Sequence, residues 1–408
     1  MFRANNFVFV PNQSLIEMEK MVIKMNPIKR NSLDEIQLAR AFAIIAVLLV
    51  HSSSSGITAV EPSSILYPIY NFFNIAGKLG TPTFIMLSSF VLFYNYYPRA
   101  TTWDLMKRFY VKRLKFILVP YLVFSALYFC IKWYIYYDYP TIGDAFARFA
   151  ELTALGKAHP HLYFVFISVQ LYILFPLLLL LFKKSSFLRK NAIWIGLLLQ
   201  WGWVILNKNY FGIVMKGSIS LSYLSFYFVG AYLGIYYNEI RAKMKNILYK
   251  DKIILPIFVG YGIMVVLYTG YMYLVRIGVY SSIVPYLPPT VNSYIAEFTW
   301  ATHALLAGLV LFYIAHIANK KFSTRTKLLF MEIGATSFGI YLIHPLLLMG
   351  FRAIYNSGSP LLYHGWQLVT LILITVLSWA IVRFTTRFIP QYWMIFGQMQ
   401  PMQRNEKK

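Results

Sequence analysis

Arg40 and His51 lie eleven residues apart in a stretch, Ile36 to Ile57, that is otherwise apolar enough to cross a bilayer. A guanidinium holds anions and an imidazole exchanges protons near neutral pH, so the two together are equipped for proton transfer beside a negative charge. Eleven steps of about 100° return to within roughly 20° of the starting direction, so on a helix both side chains point the same way, about 16 Å apart along the axis. One then sits near an end of the span and the other toward its middle. An ionisable group at membrane depth costs at least a few kcal/mol unless it pairs or lines a wet cavity, so two on one face point to a polar pathway. The plain alternative at this stage is that Arg40 snorkels to the interface and His51 is a packing histidine.

Such a pair must be held by helices that cross a membrane, and the composition supplies them. The chain of 408 residues is 59% hydrophobic, 18% aromatic and only 13% charged, with a mean hydropathy of +0.57, which excludes a soluble globular protein. Apolar runs near twenty residues, the length of a spanning helix, recur throughout. About ten are read, at roughly 36–57, 70–95, 116–137, 161–182, 191–206, 219–237, 253–273, 295–318, 333–355 and 364–388. The expected fold is all-α, a polytopic integral membrane protein of about ten transmembrane helices. Residues 1–32 are expected to form a cytoplasmic N-terminal extension, 33–390 the membrane domain and 391–408 a cytoplasmic tail.

An excess of 38 Lys and Arg over 14 Asp and Glu, a net charge of +24, resembles a nucleic-acid signal until its distribution is read. Arg99, Lys107, Arg108, Lys112, Arg113 and Lys115 form one cluster, and further clusters follow at Lys183 to Lys190, Arg241 to Lys252 and Lys320 to Lys327. They occupy every second connection, while Glu61, Asp138, Asp144 and Glu151 gather in the others. By the positive-inside rule the basic connections are cytoplasmic, and an even number of spans puts both termini inside. The charge therefore reports topology and attraction to anionic lipid, not DNA or RNA binding.

Other chemistries are excluded by what the chain lacks. The only cysteine, Cys130, cannot form a disulfide within the chain or a CxxC metal site, and no metal site is expected. There is no GxxxxGK[ST] for nucleotide-driven transport. Glu17 and Glu19 interrupt the N-terminal stretch, and no small-residue cleavage site follows an apolar core, so it does not read as a secretory signal.

Several segments depart from plain lipid-facing sequence. Gly77 to Phe90 puts Gly, Pro82, Ser88 and Ser89 into the second span, where small and hydroxylated residues allow close helix packing. Trp103 to Ile117 alternates basic and apolar residues and reads as an interfacial helix. Its partner is either anionic lipid or a polyphosphorylated ligand held by Arg forks and Lys point charges. His159-Pro160-His161-Leu162-Tyr163, with Gln170 and Tyr172 beyond, opens the fourth span. In the ninth, Pro345 cannot donate to the carbonyl of Tyr341, which places His344 beside an expected bend whose carbonyl a neighbour must satisfy.

Together these segments resemble the acyltransferase-3 family of integral membrane acyltransferases. Leu33 to His51 is similar to its first-span signature of an Arg, ten residues, then a His, and Gly80 to Ser89 to its second-span block. Tyr110 to Tyr121 is similar to its basic segment ending in Pro-Tyr, His161 to Pro176 to its fourth-span block, and Ser337 to Pro345 to its Ser-x-Gly-Ile-Tyr-Leu-Ile-His-Pro block. The five blocks run in the family's order over roughly residues 33–390. Ser88-Ser89 replaces the usual Ser-Gly, and a Glu common in the fourth-span block is replaced around Ser168-Val169. Those departures resemble the intercellular-adhesion-like branch that acylates exported polysaccharides.

The resemblance implies transfer of an acyl group, most often acetyl, from cytoplasmic acyl-CoA to a hydroxyl of a carbohydrate at a bacterial plasma membrane, with acyl-CoA a co-substrate rather than a tightly bound cofactor. In that reading His51 is the general base, or a nucleophile carrying the acyl group, and Arg40 holds the thioester end or the CoA phosphates. Lys107, Arg108, Lys112 and Arg113 are the expected CoA-binding residues, and Ser88, His161, Tyr163, Tyr172 and His344 line the expected substrate pathway. The alternative is a polysaccharide export component or transporter without acyl-transfer chemistry, since polar and Pro-broken helices serve a pore equally well. The Arg40/His51 pair together with the basic stretch at 107–115 favours the enzyme. The chain carries no signal for its oligomeric state.

Overall fold

Helix α1 (Asp34–Ala59) carries Arg40 and His51 in one uninterrupted element of 26 residues. The computed structural model to which it belongs describes residues 33–137, 139, 141–245, 254–354 and 360–399. The expected extension at 1–32 and the end of the expected tail, from 400 on, lie outside the described residues. After α1 follow α2 (Tyr67–Ala76), α3 (Gly80–Tyr96), α4 (Trp103–Arg113), α5 (Val119–Tyr136), α6 (Ile142–Ala154), α7 (Tyr163–Lys184), α8 (Ala192–Leu206) and α9 (Leu224–Ile235). The chain closes with α10 (Tyr237–Lys245), α11 (Ile254–Arg276), α12 (Pro289–Lys321), α13 (Thr324–Ile354), α14 (Pro360–Phe388) and α15 (Tyr392–Phe396). No strand occurs among the described residues.

Local chemistry explains several boundaries. Thr102 caps α4 by accepting from the Leu105 amide, and Asp104 sits in its first turn, where it complements the helix dipole. A single π-helical turn, Leu114–Leu118, then joins α4 to α5, so the expected interfacial helix and third span form one rod from Trp103 to Tyr136. Thr141 caps α6 in the same manner.

Among the described residues eight helices are long and apolar enough to cross a membrane, against about ten expected: Asp34–Ala59, Tyr67–Tyr96, Trp103–Tyr136, Pro160–Lys184, Ile254–Arg276, Pro289–Lys321, Thr324–Ile354 and Leu361–Phe388. The two remaining predictions, at 191–206 and 219–237, are the short helices α8 and α9, of 15 and 12 residues. A hydrocarbon core of about 30 Å needs about 20 helical residues, so α9 does not reach across alone, and α8 attains that length only by running on through the polar π-helical turn Asn207–Phe211. The apolarity of α9 has another origin. Helix α9 is buried along nearly its whole length against α3, so closely that a Cβ at Gly230 or Gly234 would strike the Met86 or Phe90 carbonyl. A helix hydrophobic all round is read as lipid-facing from sequence, whereas here it faces protein.

The described residues from Glu35 onward belong to one compact unit. Helix α1 lies against α13, where a Cβ at Gly334 would run into the Gln37 carbonyl. Residues 391–399, assigned above to a tail, are packed: Phe396 stacks 5.9 Å from Phe124 of α5, and Lys115 lies 4.4 Å over the Trp393 ring. Pro345 sits inside α13, which continues through it. The carbonyls of that turn are met on either side of Tyr341, since Tyr128 donates to Leu342 O at 2.9 Å and His344 Nδ1 lies 3.1 Å from Ile340 O.

Candidate functional site

Where α1, α3, α4, α7 and α13 converge they leave a cavity of about 500 Å³. Arg40, Arg99, Lys112 and Arg113 line it, and no Asp or Glu does. Arg113, in the last turn of α4, stacks over the rings of Tyr172 at 4.8 Å and Phe109 at 5.5 Å, and its Nε is buried without a hydrogen-bond partner. Aromatic faces hold a guanidinium there without neutralising it. Among the described residues Arg40 makes no hydrogen bond or ion pair. Two uncompensated guanidiniums facing one void are suited to bind an anion with several acceptor oxygens. Ser88 and Tyr172, 3.3 Å apart through their hydroxyls, form part of the same wall.

The basic stretch therefore divides. Lys112 and Arg113 reach the cavity, whereas Lys107 and Arg108 are exposed and lie outside its lining, with Arg108 Nε donating to the Asp104 carbonyl at 3.3 Å.

Farther along α1 the polar groups change in kind. The His51 ring lies 5.0 Å from that of His344, which lies 5.8 Å from His161. His161 in turn faces His159, their Nδ1 atoms 2.7 Å apart. Tyr128 packs on both members of that pair, at 4.3 and 5.0 Å, and Tyr341 packs on His161 and His344 at 5.4 and 5.9 Å. Four histidines from α1, the α6–α7 connection and α13 thus meet in one aromatic nest. His161 and His344 are fully buried.

Their tautomers follow from the partners. A carbonyl only accepts, so His344 Nδ1 carries the proton that points at Ile340 O, and Nε2 is left with its lone pair, buried and without a partner. His161 Nε2 is likewise buried without a partner, while the Tyr341 hydroxyl donates to the His161 carbonyl. His159, just outside the fourth long helix, is pushed down to about 3 by burial first and then by the charges of Lys132 and His51. It stays neutral at ordinary pH, so its contact with His161 is one N–H donating to one lone pair. Among the described residues no three His, Cys, Asp or Glu side chains are grouped to hold a metal ion.

Tyr341 joins the two regions, since it lines the cavity and touches two of the histidines. Of the residues singled out by sequence, Arg40, Lys112, Arg113, Ser88 and Tyr172 meet at the cavity, and His51, His161 and His344 meet at the nest. Tyr163 joins neither, its hydroxyl lying 3.0 Å from Thr81 Oγ1 and outside the cavity lining. Tyr341, His159 and Tyr128 were not singled out. Tyr341 stands inside the Ser337 to Pro345 block and His159 just before the His161 to Pro176 block, and nothing in the sequence marks Tyr128, one of 33 tyrosines.

Comparison with known proteins bears on this geometry. A protein of Acidianus two-tailed virus named "Putative acetyltransferase ORF330" is 28% identical over 178 residues, 44% of this chain and about half of the relative, 49%. A Staphylococcus aureus protein named "Probable poly-beta-1,6-N-acetyl-D-glucosamine export protein" is 24% identical over 288 residues, 68% of this chain and 71% of the relative. No solved structure matches. The family model described as "Acyltransferase domain" matches residues 33–383, which span the cavity and the nest alike, and the chain belongs to that acyltransferase-3 family of membrane acyltransferases.

Proposed function

We propose that this acyltransferase moves an acyl group, acetyl by preference, from acyl-CoA on the cytoplasmic side to a hydroxyl of a cell-surface or exported carbohydrate at the cell membrane. The observation that carries the reading is the four-cation cavity without a carboxylate, set beside the histidine nest and joined to it by Tyr341. The cavity's Arg99, Lys112 and Arg113 belong to the basic connection that the positive-inside rule assigns to the cytoplasm. Phosphates of CoA enter among those cations, and the acyl end extends along α1 past Arg40. His51, about 16 Å farther on, takes the proton of the acceptor hydroxyl. The hydroxyl oxygen bonds to the acyl carbon, the carbon–sulfur bond breaks, and the proton ends on the departing thiol. Arg40 steadies the negative charge that develops. A route through acyl-His51 uses the same residues in two steps.

The test is purified protein in nanodiscs with acetyl-CoA or succinyl-CoA, following free CoA against candidate oligosaccharides. Acceptor-dependent release of CoA supports the reading. The printed name of the Staphylococcus aureus relative favours a second reading, polysaccharide export. Glycan flux into vesicles with no CoA release from any pair would establish that one instead.

A further inference from the structure

His51 lacks the support that usually aims a catalytic imidazole. Among the described residues its ring nitrogens have no hydrogen-bond partner, and the ring meets only the ring of His344. Its backbone turn is gripped instead. Arg352, eight residues beyond His344 on α13, donates from Nη2 to the His51 carbonyl at 2.9 Å and from Nε to Ser55 Oγ at 2.8 Å. From α2, Asn74 Nδ2 reaches the Val50 carbonyl at 3.1 Å and Ser54 Oγ at 3.0 Å, and Arg276 of α11 holds Asn74 Oδ1 at 2.7 Å. One guanidinium fork thus fastens two successive turns of α1 to the helix that carries His344. Arg352 has no ion-pair partner among the described residues. A guanidinium facing carboxylates would be accounted for by charge, whereas this one is engaged by a backbone carbonyl and a hydroxyl, which read its shape.

We propose that Arg352 is a positioning residue for His51: its fork on the His51 carbonyl and Ser55 Oγ sets the rotation of α1 at that turn and so the direction of the imidazole toward His344. The inference rests on the acyl-transfer reading above. Because α13 supplies both His344 and Arg352, any shift of α13 against α1 would misalign base and neighbour together. Helical geometry makes such a shift costly, since a rotation of even 20° swings the imidazole sideways by more than 1 Å, and reaction rates fall steeply with misplacement of that size.

Three variants in nanodiscs test it. Arg352→Lys keeps the charge and stem but loses the planar fork. Ser55→Ala removes one acceptor and leaves the arginine. The double variant asks whether both act through one interaction. Positioning predicts that Arg352→Lys lowers kcat by about tenfold or more with KM for acyl-CoA within about twofold, that Ser55→Ala lowers kcat less, and that the double variant is no worse than Arg352→Lys. A second readout needs no turnover. Carbethoxylation of His51 by diethylpyrocarbonate, mapped by peptide mass spectrometry against exposed Lys243, should change severalfold in both single variants while His303 stays unreactive. Wild-type kcat in Arg352→Lys, or His51 labelling equal to wild type, overturns the proposal. So does labelling of His303 and His316 rising together with His51, which would make Arg352 a strap for stability. Altered His51 labelling in a protein that releases no CoA would retain the clamp and remove the acyl-transfer reading.

Discussion

The cavity at Arg113 and the nest at His344 sit on the same helices and are made of opposite materials. The cavity collects four cations and no anion around a void of about 500 Å³. The nest collects four histidines and two tyrosines, with two imidazole nitrogens buried and unpartnered, and admits no Lys or Arg between the rings. Charge is affordable only where solvent or a counter-ion reaches it, and a neutral imidazole can be buried at far lower cost. The contrast teaches that cationic groups and buried neutral imidazoles are kept to separate stretches of one helix, with Tyr341 bordering both.

The strongest way to break that division is at the base. His51→Ala should lower kcat by about 100-fold or more while expression and insertion stay normal, because a general base contributes roughly that factor and the change removes a polar group from a span. Moving the imidazole one step, with Val50→His and His51→Val together, rotates it by about 100° and should be as damaging. A CoA-release assay that retains more than about a tenth of the rate in either variant would move the proton chemistry elsewhere in the nest.

Next in size is Arg40, which lines the cavity on the helix that also carries His51. Arg40→Lys should cost about tenfold or more in kcat/KM, because a point charge replaces a planar fork. A nearly silent exchange would make Arg40 an interfacial cation without a chemical role.

At the cavity the effect should fall on binding. Arg113→Gln should raise KM for acyl-CoA severalfold with kcat within about twofold, and the difference should shrink in high salt. Lys107→Gln and Arg108→Gln, outside the lining, should leave both constants within about twofold. Equal losses at all three positions would show that bulk charge, not the cavity, attracts the donor.

The smallest effect concerns acid. His159 is held near 3 in the folded protein and returns to its ordinary value of about 6.5 on unfolding, so between those values the unfolded state binds a proton that the native state refuses. Its contribution is present above about pH 6.5 and lost as the pH falls toward 3. The melting temperature in detergent should therefore drop between pH 7 and pH 4, and His159→Gln should make the drop shallower. Identical slopes would remove His159 from the dry region.

The sequence made the class and the axial chemistry legible, because both are local. Hydrophobicity over twenty residues declares a membrane helix, and the pitch of a helix aligns Arg40 with His51 without reference to any neighbour. What failed was whatever depends on which helices touch. Helix α9 reads as a span because composition cannot distinguish a face packed on protein from one packed on lipid. Lys107 and Arg108 read like Lys112 and Arg113 because one helix carries all four, and only the approach of α1, α3, α7 and α13 determines which of them borders a void.

The nest is the clearest case. His51, His159, His161 and His344 are separated by up to 293 positions in the chain, and each alone reads as an interfacial or packing residue. Tyr128 and Arg352 carry no signal of their own. Periodicity and composition, set by the chain alone, determined that this protein crosses membranes and that a guanidinium and an imidazole share one face. Tertiary structure decided which of the remaining polar groups meet, because helix adjacency depends on close approaches such as that of Gly334 to the Gln37 backbone, which no local pattern specifies.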